Sequence, residues 1–227
     1  MNIWAFDIET GPASDAEIER MAPDFDPASV KTGNLADLKK IAEKVEGARV
    51  DHFAGIKKRA ALRAEFSSIL ALGWLEGSCV TILDRKNNSE AQMLAQFWDA
   101  AANAHAEGLY LAGHYITGFD LPYMVRRSFV HGLVVPRELR PQRYRFWGHA
   151  WFDTAEAWNL GDPQSKMGLD RLAKFLGVEG KSGTGERFGE LYKTDRLAAL
   201  DYLRQDVRAT KAVAEKLWLT LEAGGPQ

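Results

Sequence analysis

The pattern of apolar and polar residues along the chain predicts five strands interleaved with helices. An apolar run at residues 3–8 is typical of a buried strand. Two apolar runs within residues 68–84, separated by a Glu-Gly-Ser turn, predict a hairpin. Shorter apolar segments predict strands at 109–114 and 149–154, and helical periodicity covers residues 89–106, 120–132, 168–178 and 195–222. This order predicts an α/β domain with a mixed five-stranded sheet flanked by helices.

The segment after the first strand does not follow this alternation. Residues 12–34 are rich in Pro, Asp and Ala, and three prolines there prevent a long helix. Residues 35–64 carry many Lys, Arg and Glu residues with a loose helical period. We interpret residues 12–66 as a helical insertion within a single domain that covers residues 1–227.

Composition and charge are those of a soluble globular protein. The 227 residues are 46% hydrophobic and 26% charged, with a formal net charge of −2. No global basic field attracts nucleic acid, so any such binding depends on local patches or on cations. The single cysteine, Cys79, excludes an intramolecular disulfide, fits a reducing compartment and is interpreted as a core residue. Without a signal-peptide pattern or an apolar run of ~20 residues, we expect a cytoplasmic protein with no membrane partner.

Two acids interrupt the first strand. Side chains alternate between the two faces of a strand, so Asp7 and Glu9 project together, while Phe6 and Ile8 point to the opposite face. Neighbouring carboxylates repel each other unless a proton or a cation lies between them, and Mg²⁺ and Mn²⁺ prefer oxygen ligands. The alternative is that one acid lies at the solvent end of the strand and the other caps the turn at Gly11.

Two later segments also carry acids at structurally defined positions. Asp120 lies in "GHYITGFDLPYM", where a predicted strand passes into a helix, and an Asp at such a place can be an ordinary N-cap. Tyr202 and Asp206 are four residues apart in the last helix and therefore share one face. The alternative for this pair is a solvated Asp beside a Tyr at the rim of the core.

The three motifs, in this order, resemble the DEDD superfamily of 3′–5′ exonucleases. The segments "GHYITGFDLPYM", "GLDRLAKFLGV" and "YLRQDV" are most similar to the proofreading exonuclease domains of family B DNA polymerases and their stand-alone relatives. The resemblance covers residues 3–11 and roughly 67–220, and it implies a ribonuclease-H-like fold. One branch of the superfamily carries Tyr four residues before the last Asp, and the other carries His five residues before it. Here position 202 is Tyr and position 201 is Asp, so the chain resembles the Tyr-type (DEDDy) branch.

The resemblance also implies a metal-dependent mechanism with two divalent cations, Mg²⁺ or Mn²⁺. Asp7 would contact both cations, Glu9 and Asp206 would complete the first set of ligands, and Asp120 would serve the second through water. Tyr202 would orient the attacking water. The implied reaction removes nucleoside 5′-monophosphates from the 3′ end of mainly single-stranded DNA.

Two alternatives to a DNA exonuclease stay open at this point. The first is a 3′–5′ exoribonuclease with the same chemistry, and the second is a non-catalytic nucleic-acid-binding domain. The expected partners are a single-stranded DNA or RNA 3′ end, and a polymerase or a repair or replication protein for a proofreading role.

Candidate nucleic-acid contacts complete the prediction: Thr10, His114, Tyr115, Phe119, Arg143 and Arg145. Tyr115 stands where relatives usually carry Asn, and a phenol there could stack on a base or a sugar. Arg143 and Arg145 lie among aromatic residues, a composition that suits single-stranded nucleic acid, although a solvated loop explains it as well.

Four other polar residues have competing interpretations. Arg126 and Arg127 are alternative phosphate contacts. His114 has a structural interpretation as a hydrogen-bonding residue, and Asp153 is interpreted as a capping residue and not as a metal ligand.

Overall fold

The computed structural model describes residues 2–35, 37–140, 150–162, 164–178 and 188–222. The chain forms two compact units, of which the larger comprises residues 1–9 and 69–227 and the smaller comprises residues 10–68. The smaller unit corresponds closely to the segment interpreted as an insertion. The assignment of residues 1–227 to one exonuclease domain stays a prediction.

One sheet contains the five strands of the described residues, which are β1 (Ile3–Pro12), β2 (Ser67–Glu76), β3 (Cys79–Asp84), β4 (Tyr110–Gly113) and β5 (Trp151–Asp153). Their order across the sheet is β3-β2-β1-β4-β5. Strands β1, β4 and β5 are parallel, whereas β2 and β3 form an antiparallel hairpin. The predicted mixed five-stranded α/β fold is therefore confirmed.

Eight α-helices lie in the described residues: α1 (Asp15–Met21), α2 (Leu38–Arg59), α3 (Glu90–Ala106), α4 (Asp120–His131), α5 (Thr154–Asn159), α6 (Leu169–Leu176), α7 (Phe188–Thr194) and α8 (Arg196–Glu222). Short 3₁₀ turns occur at Pro27–Ser29, Ala60–Leu62 and Arg137–Leu139. The sequence pattern predicted the longer helices but not α1, α5 or α7, each of which has seven residues or fewer.

The two faces of β1 pack against different helices. On one face, Trp4 and Phe6 contact the ring of Phe97 in α3, with ring centroids 5.5 and 5.0 Å apart. On the other face, Ile3 and Ala5 belong to the buried cluster formed with α8. Because side chains alternate along a strand, the residues that continue the second series at positions 7 and 9 also face the α8 side of the sheet.

Small residues let α8 approach this face of the sheet closely. Ala5, Ala71 and Ala112, from three neighbouring strands, are completely buried there. At Gly73 of β2, an added Cβ would lie 3.3 Å from side-chain carbons of both Leu203 and Val207, so a larger residue would push the helix away. The sheet thus fixes the depth of α8.

The smaller unit has a small core and a long exposed helix. Helix α1 begins with a capping box in which Ser14 and Glu17 exchange hydrogen bonds. Ile18, Ala60 and Phe66 form the buried cluster of this unit. No residue of α2 is buried, although the helix is 22 residues long. This exposure explains the loose apolar period of the sequence in this region.

Cys79 is exposed, so its interpretation as a core residue is wrong. It is the first residue of β3 and follows directly on the hairpin turn, and β3 is an edge strand of the sheet. Among the described residues, no helix combines the length and the apolar character required to cross a membrane.

Candidate active site

Three carboxylates from β1 and α8 meet on the α8 side of the sheet. Asp7, Glu9 and Asp206 each offer an oxygen atom, and these atoms all lie within 4.8 Å of one another. The pleat of β1 turns Asp7 and Glu9 to the same side, as the spacing predicted. Asp206 reaches them from α8, where it is buried at 4% exposure between buried neighbours of the same helix. The sequence motifs at opposite ends of the chain thus converge in space.

The N-terminus of α8 is anchored by a partly buried ion pair at β3, an edge strand of the sheet. Arg196, the first residue of the helix, donates to both carboxylate oxygens of Asp84 at the end of β3, and Tyr192 also donates to Asp84. Burial opposes ionisation of Asp84, but these donors keep its pKa below the usual value. The ion pair and the close contact at Gly73 together fix where the helix places Asp206.

Tyr202 lies one helical turn before Asp206 and is almost completely buried. Its ring is 6.4 Å from the ring of Phe188 and belongs to the cluster between α8 and the sheet. A Tyr and an Asp four residues apart on one helix share a face, so the phenol ring is held by packing next to the acidic group.

Asp120 approaches the same strand from the end of β4. Burial raises the pKa of Asp120, and hydrogen bonding to the backbone of Ile8, the residue between Asp7 and Glu9, partly offsets this effect. The β1–β4 pairing runs from Ile3 to Ala5, so the N–H of Ile8 lies beyond it. Asp120 is not one of the three acids whose oxygens lie within 4.8 Å of one another, but it is bound to the strand that carries two of them.

The environment of Asp120 disfavours its charged form. Its side chain is buried at 3% exposure, and its Oδ1 atom has no hydrogen-bond partner among the described residues. Burial raises the pKa of Asp120 to about 7, and the negative charge of Asp153 adds to this effect. A buried carboxylate oxygen without a donor fits a cation or a water bound to one, because either would satisfy it.

This donor set fits hard divalent cations. The three converging carboxylates, with no described His or Cys among them, form an all-oxygen set, which is the preference of Mg²⁺ and Mn²⁺. A cation between the three converging carboxylates would also offset their mutual repulsion. The arrangement can therefore hold a metal ion at the strand that the sequence singled out.

Asp153 organises the loop that leads to Asp120. It caps α5 by accepting from the N–H groups of Ala155 and Glu156, as a capping interpretation requires. It also accepts from the N–H of Tyr115 and from the N–H and hydroxyl of Thr117. Sequence analysis did not find this second role, because the partners are 36 and 38 residues away along the chain. Asp153 therefore positions the loop and is not one of the converging acids.

The comparisons with known proteins agree with this geometry. Residues 65–219 match a family described as predicted 3′–5′ exonucleases related to the exonuclease domain of PolB, and this match covers more than half of the chain. The chain belongs to this exonuclease family. No curated protein matches the chain. The resemblance to this group of nucleases is thus confirmed at the level of the family.

The fold is also similar to part of a solved DNA polymerase structure. The family B DNA polymerase of the hyperthermophilic archaeon Pyrobaculum calidifontis matches with a TM-score of 0.60 at 21% identity. The match covers 96% of this chain but 25% of the polymerase chain. The chain therefore spans about a quarter of the length of that polymerase, and the likeness concerns the fold.

The predicted nucleic-acid contacts of this exonuclease-family chain have different surroundings. Thr10 donates its hydroxyl to the carbonyl of Ala61 within the smaller unit. Both ring nitrogens of His114 have hydrogen-bond partners, the hydroxyl of Thr154 and the carbonyl of Met167. These bonds agree with the structural interpretation of His114.

The other predicted contacts differ in exposure. Phe119 is half-buried and packs on Tyr123, whereas Tyr115 is 43% exposed. Arg143 and Arg145 lie outside the described residues, so their assignment stays a prediction.

Arg127 is not available as a phosphate contact. It binds the buried carboxylate of Glu90 in α3 through two nitrogens, Nε at 3.0 Å and Nη2 at 2.6 Å. His131 and the backbone N–H of Ile69 bind the same carboxylate. The interpretation of Arg127 as an alternative phosphate contact is therefore wrong, because the guanidinium compensates a charge inside the protein.

Proposed function

We propose that the protein is a metal-dependent 3′–5′ exonuclease that removes nucleotides from the 3′ end of single-stranded DNA. The observation that carries this proposal is the convergence of Asp7, Glu9 and Asp206, whose oxygens lie within 4.8 Å of one another. Membership of a family of predicted 3′–5′ exonucleases supports the direction of cleavage. The products are nucleoside 5′-monophosphates.

Four acids would hold the two divalent cations. Asp7, Glu9 and Asp206, whose oxygens lie together, would supply one set of ligands. Asp120 would contribute to the second, since its buried Oδ1 atom has no hydrogen-bond donor among the described residues. When bound, the cations supply Lewis-acid stabilisation of the attacking and leaving oxygens of the phosphodiester.

The protein groups around this set orient the reactants. Tyr202 positions the attacking water from its place one turn before Asp206, where packing restricts the ring. A phenol has a pKa near 10, so its contribution is orientation through a hydrogen bond and not proton removal.

A polymerase or a repair or replication protein is the proposed partner of this activity. The similar polymerase chain is about four times longer than the part that this chain matches. A proofreading role would couple this activity to a polymerase that presents the 3′ end.

The test is digestion of 5′-labelled single-stranded DNA and RNA of the same sequence with Mg²⁺ or Mn²⁺. The proposal predicts a ladder that shortens from the 3′ end of the DNA and is absent in EDTA. Faster digestion of RNA than of DNA would identify RNA as the preferred substrate and contradict the proposal for DNA. If the protein binds either strand but cleaves neither strand with Mg²⁺ or with Mn²⁺, the result would support a non-catalytic nucleic-acid-binding domain instead of an enzyme.

A further inference from the structure

Tyr115, in the loop before Asp120, has an unusual backbone conformation. Its φ is +61°, in the left-handed region that a bulky residue rarely occupies. The surroundings enforce this conformation, because its N–H donates to Asp153 and its carbonyl accepts from the N–H groups of Gly118 and Phe119. A strained residue that the neighbouring structure holds in place is a reason to look for a function.

The phenol ring of Tyr115 is held as firmly as its backbone. The ring lies against Gly118, where an added Cβ would be 2.5 Å from the ring carbon Cζ, so only glycine leaves the necessary space. The ammonium nitrogen of Lys166 lies 5.4 Å from the ring centroid, within the range of a cation–π contact. Nevertheless the residue is 43% exposed, so part of this oriented side chain is open to solvent.

These two residues line a cavity of about 440 Å³. Its other lining residues are His114, Ala155, Met167 and Gly168. His114 is a fixed part of the wall because both of its ring nitrogens are bound within the protein. The volume lies within the range of small-ligand pockets, about 300–1,000 Å³, and is sufficient for one nucleoside.

We propose that this cavity, the Tyr115 pocket, binds one unstacked nucleobase of the single-stranded substrate, with the phosphate of the same nucleotide on Lys166. The proposal rests on the proposed exonuclease function. An exposed aromatic ring beside a cation is the combination by which proteins hold single strands, through stacking and phosphate contact. The tight turn from Tyr115 to Phe119 leads directly to Asp120, the first residue of α4, so the same loop connects the pocket with one of the proposed metal ligands.

The stacking part is tested by binding in EDTA, where cleavage does not interfere. The probes are a 5′-fluorescein-labelled single-stranded DNA and four versions that carry one abasic residue at each of the last four 3′ positions. For the wild-type chain we expect one abasic position to weaken binding about 5- to 150-fold, which corresponds to the loss of one stacked base. Tyr115→Asn should weaken binding of the intact strand similarly and abolish the difference between that abasic probe and the intact strand.

Two variants separate loss of the ring from loss of the fold. Tyr115→Phe keeps the ring and should retain the abasic effect. Asn tolerates positive φ well, so Tyr115→Asn should have a melting temperature at least equal to that of the wild type. If Tyr115→Asn binds like the wild type and still distinguishes the abasic probe, the stacking proposal is overturned.

The phosphate part is tested by the salt dependence of binding. Lys166→Gln should reduce the slope of log K against log salt by about 0.7, the value for one contact with a single strand. The exposed Lys174 of α6 provides the matched control, since Lys174→Gln removes the same charge outside the pocket and should leave the slope unchanged. An unchanged slope for Lys166→Gln overturns the phosphate contact. If the wild-type chain neither binds nor cleaves the strand, the exonuclease proposal and the pocket proposal fail together. If the wild-type chain cleaves the strand and the Tyr115 and Lys166 variants bind it as the wild type does, only the pocket proposal is overturned.

Discussion

Neutralising Asp206 should stabilise the metal-free protein, although the residue is buried in the core of the larger unit. Asp206→Asn keeps the shape of the side chain and removes one of three negative charges whose oxygens lie within 4.8 Å of one another. At that distance and an effective dielectric constant of about 20, each pair repels by about 3 kcal/mol. The new amide can also donate hydrogen bonds to the two carboxylates that remain.

The net gain is smaller than the sum of the two repulsions. In the wild type, one of the crowded carboxyls can bind a proton, which removes the same repulsion. Binding this proton at pH 7 costs about 4 kcal/mol for a carboxyl with a usual pKa near 3.9, so the stabilisation by Asp206→Asn cannot exceed that value. Since the carboxylates also keep some contact with solvent, we expect about 1–2 kcal/mol. For a chain of this size that raises the melting temperature by about 2–8 °C.

The assay is thermal unfolding followed by circular dichroism in EDTA and in Mn²⁺. In EDTA, Asp206→Asn should melt above the wild type, whereas Mn²⁺ should stabilise the wild type more than the variant, because a ligand that binds only the folded state raises stability. Asp201→Asn is the matched control: it makes the same charge change on the same helix, at an exposed residue that pairs with Arg204. A variant that melts below the wild type in EDTA and keeps the full Mn²⁺ effect would refute the reasoning.

Three further predictions follow from the packing around the site. Glu90→Gln should cost about 3 kcal/mol of unfolding free energy, because Arg127 loses its buried charged partner. Burial opposes ionisation of Glu90, but its hydrogen-bond donors lower its pKa in the folded protein. The stabilisation by the charged Glu90 is therefore present above about pH 4.5 and is lost as the pH falls below that value. Urea unfolding should show a large difference in unfolding free energy between the variant and the wild type at pH 7 and a smaller difference at pH 3. Gly118→Ala should cost about 1–3 kcal/mol by displacing the Tyr115 ring, and most of this cost should disappear in a Tyr115→Ala background, measured as a double-mutant cycle. Tyr202→Phe should slow nucleotide release while the variant remains folded, and an unchanged rate would mean that Tyr202 contributes only to packing.

The strands and the acidic motifs could be predicted because they depend on local periodicity. Alternation along β1 placed Asp7 and Glu9 on one face, and helical spacing placed Tyr202 beside Asp206. Their convergence depends on the sheet order and on the depth of α8, and the resemblance to a nuclease family supplied this step. The geometry of the three acids agrees with it.

Short helices and tertiary contacts were harder to predict. Helix α1 carries a readable capping box, Ser14 with Glu17, but the prolines around it suggested a loop. The pairing of Arg127 with Glu90 joins residues 37 positions apart, so charge alone could not separate it from an exposed phosphate contact. The conformation of Tyr115 likewise depends on Asp153, which is distant along the chain.

The most direct test of the central claim is the rate at which Asp7→Asn releases the 3′-terminal nucleotide from 5′-labelled single-stranded DNA in Mn²⁺. If Asp7 is shared between two cations, the rate should fall more than about 100-fold, beyond the 10- to 100-fold cost of losing an outer-shell partner of a metal site. The variant should remain folded in EDTA. A folded Asp7→Asn variant that releases nucleotides within a few-fold of the wild-type rate would contradict the assignment of this carboxylate set as the catalytic metal site.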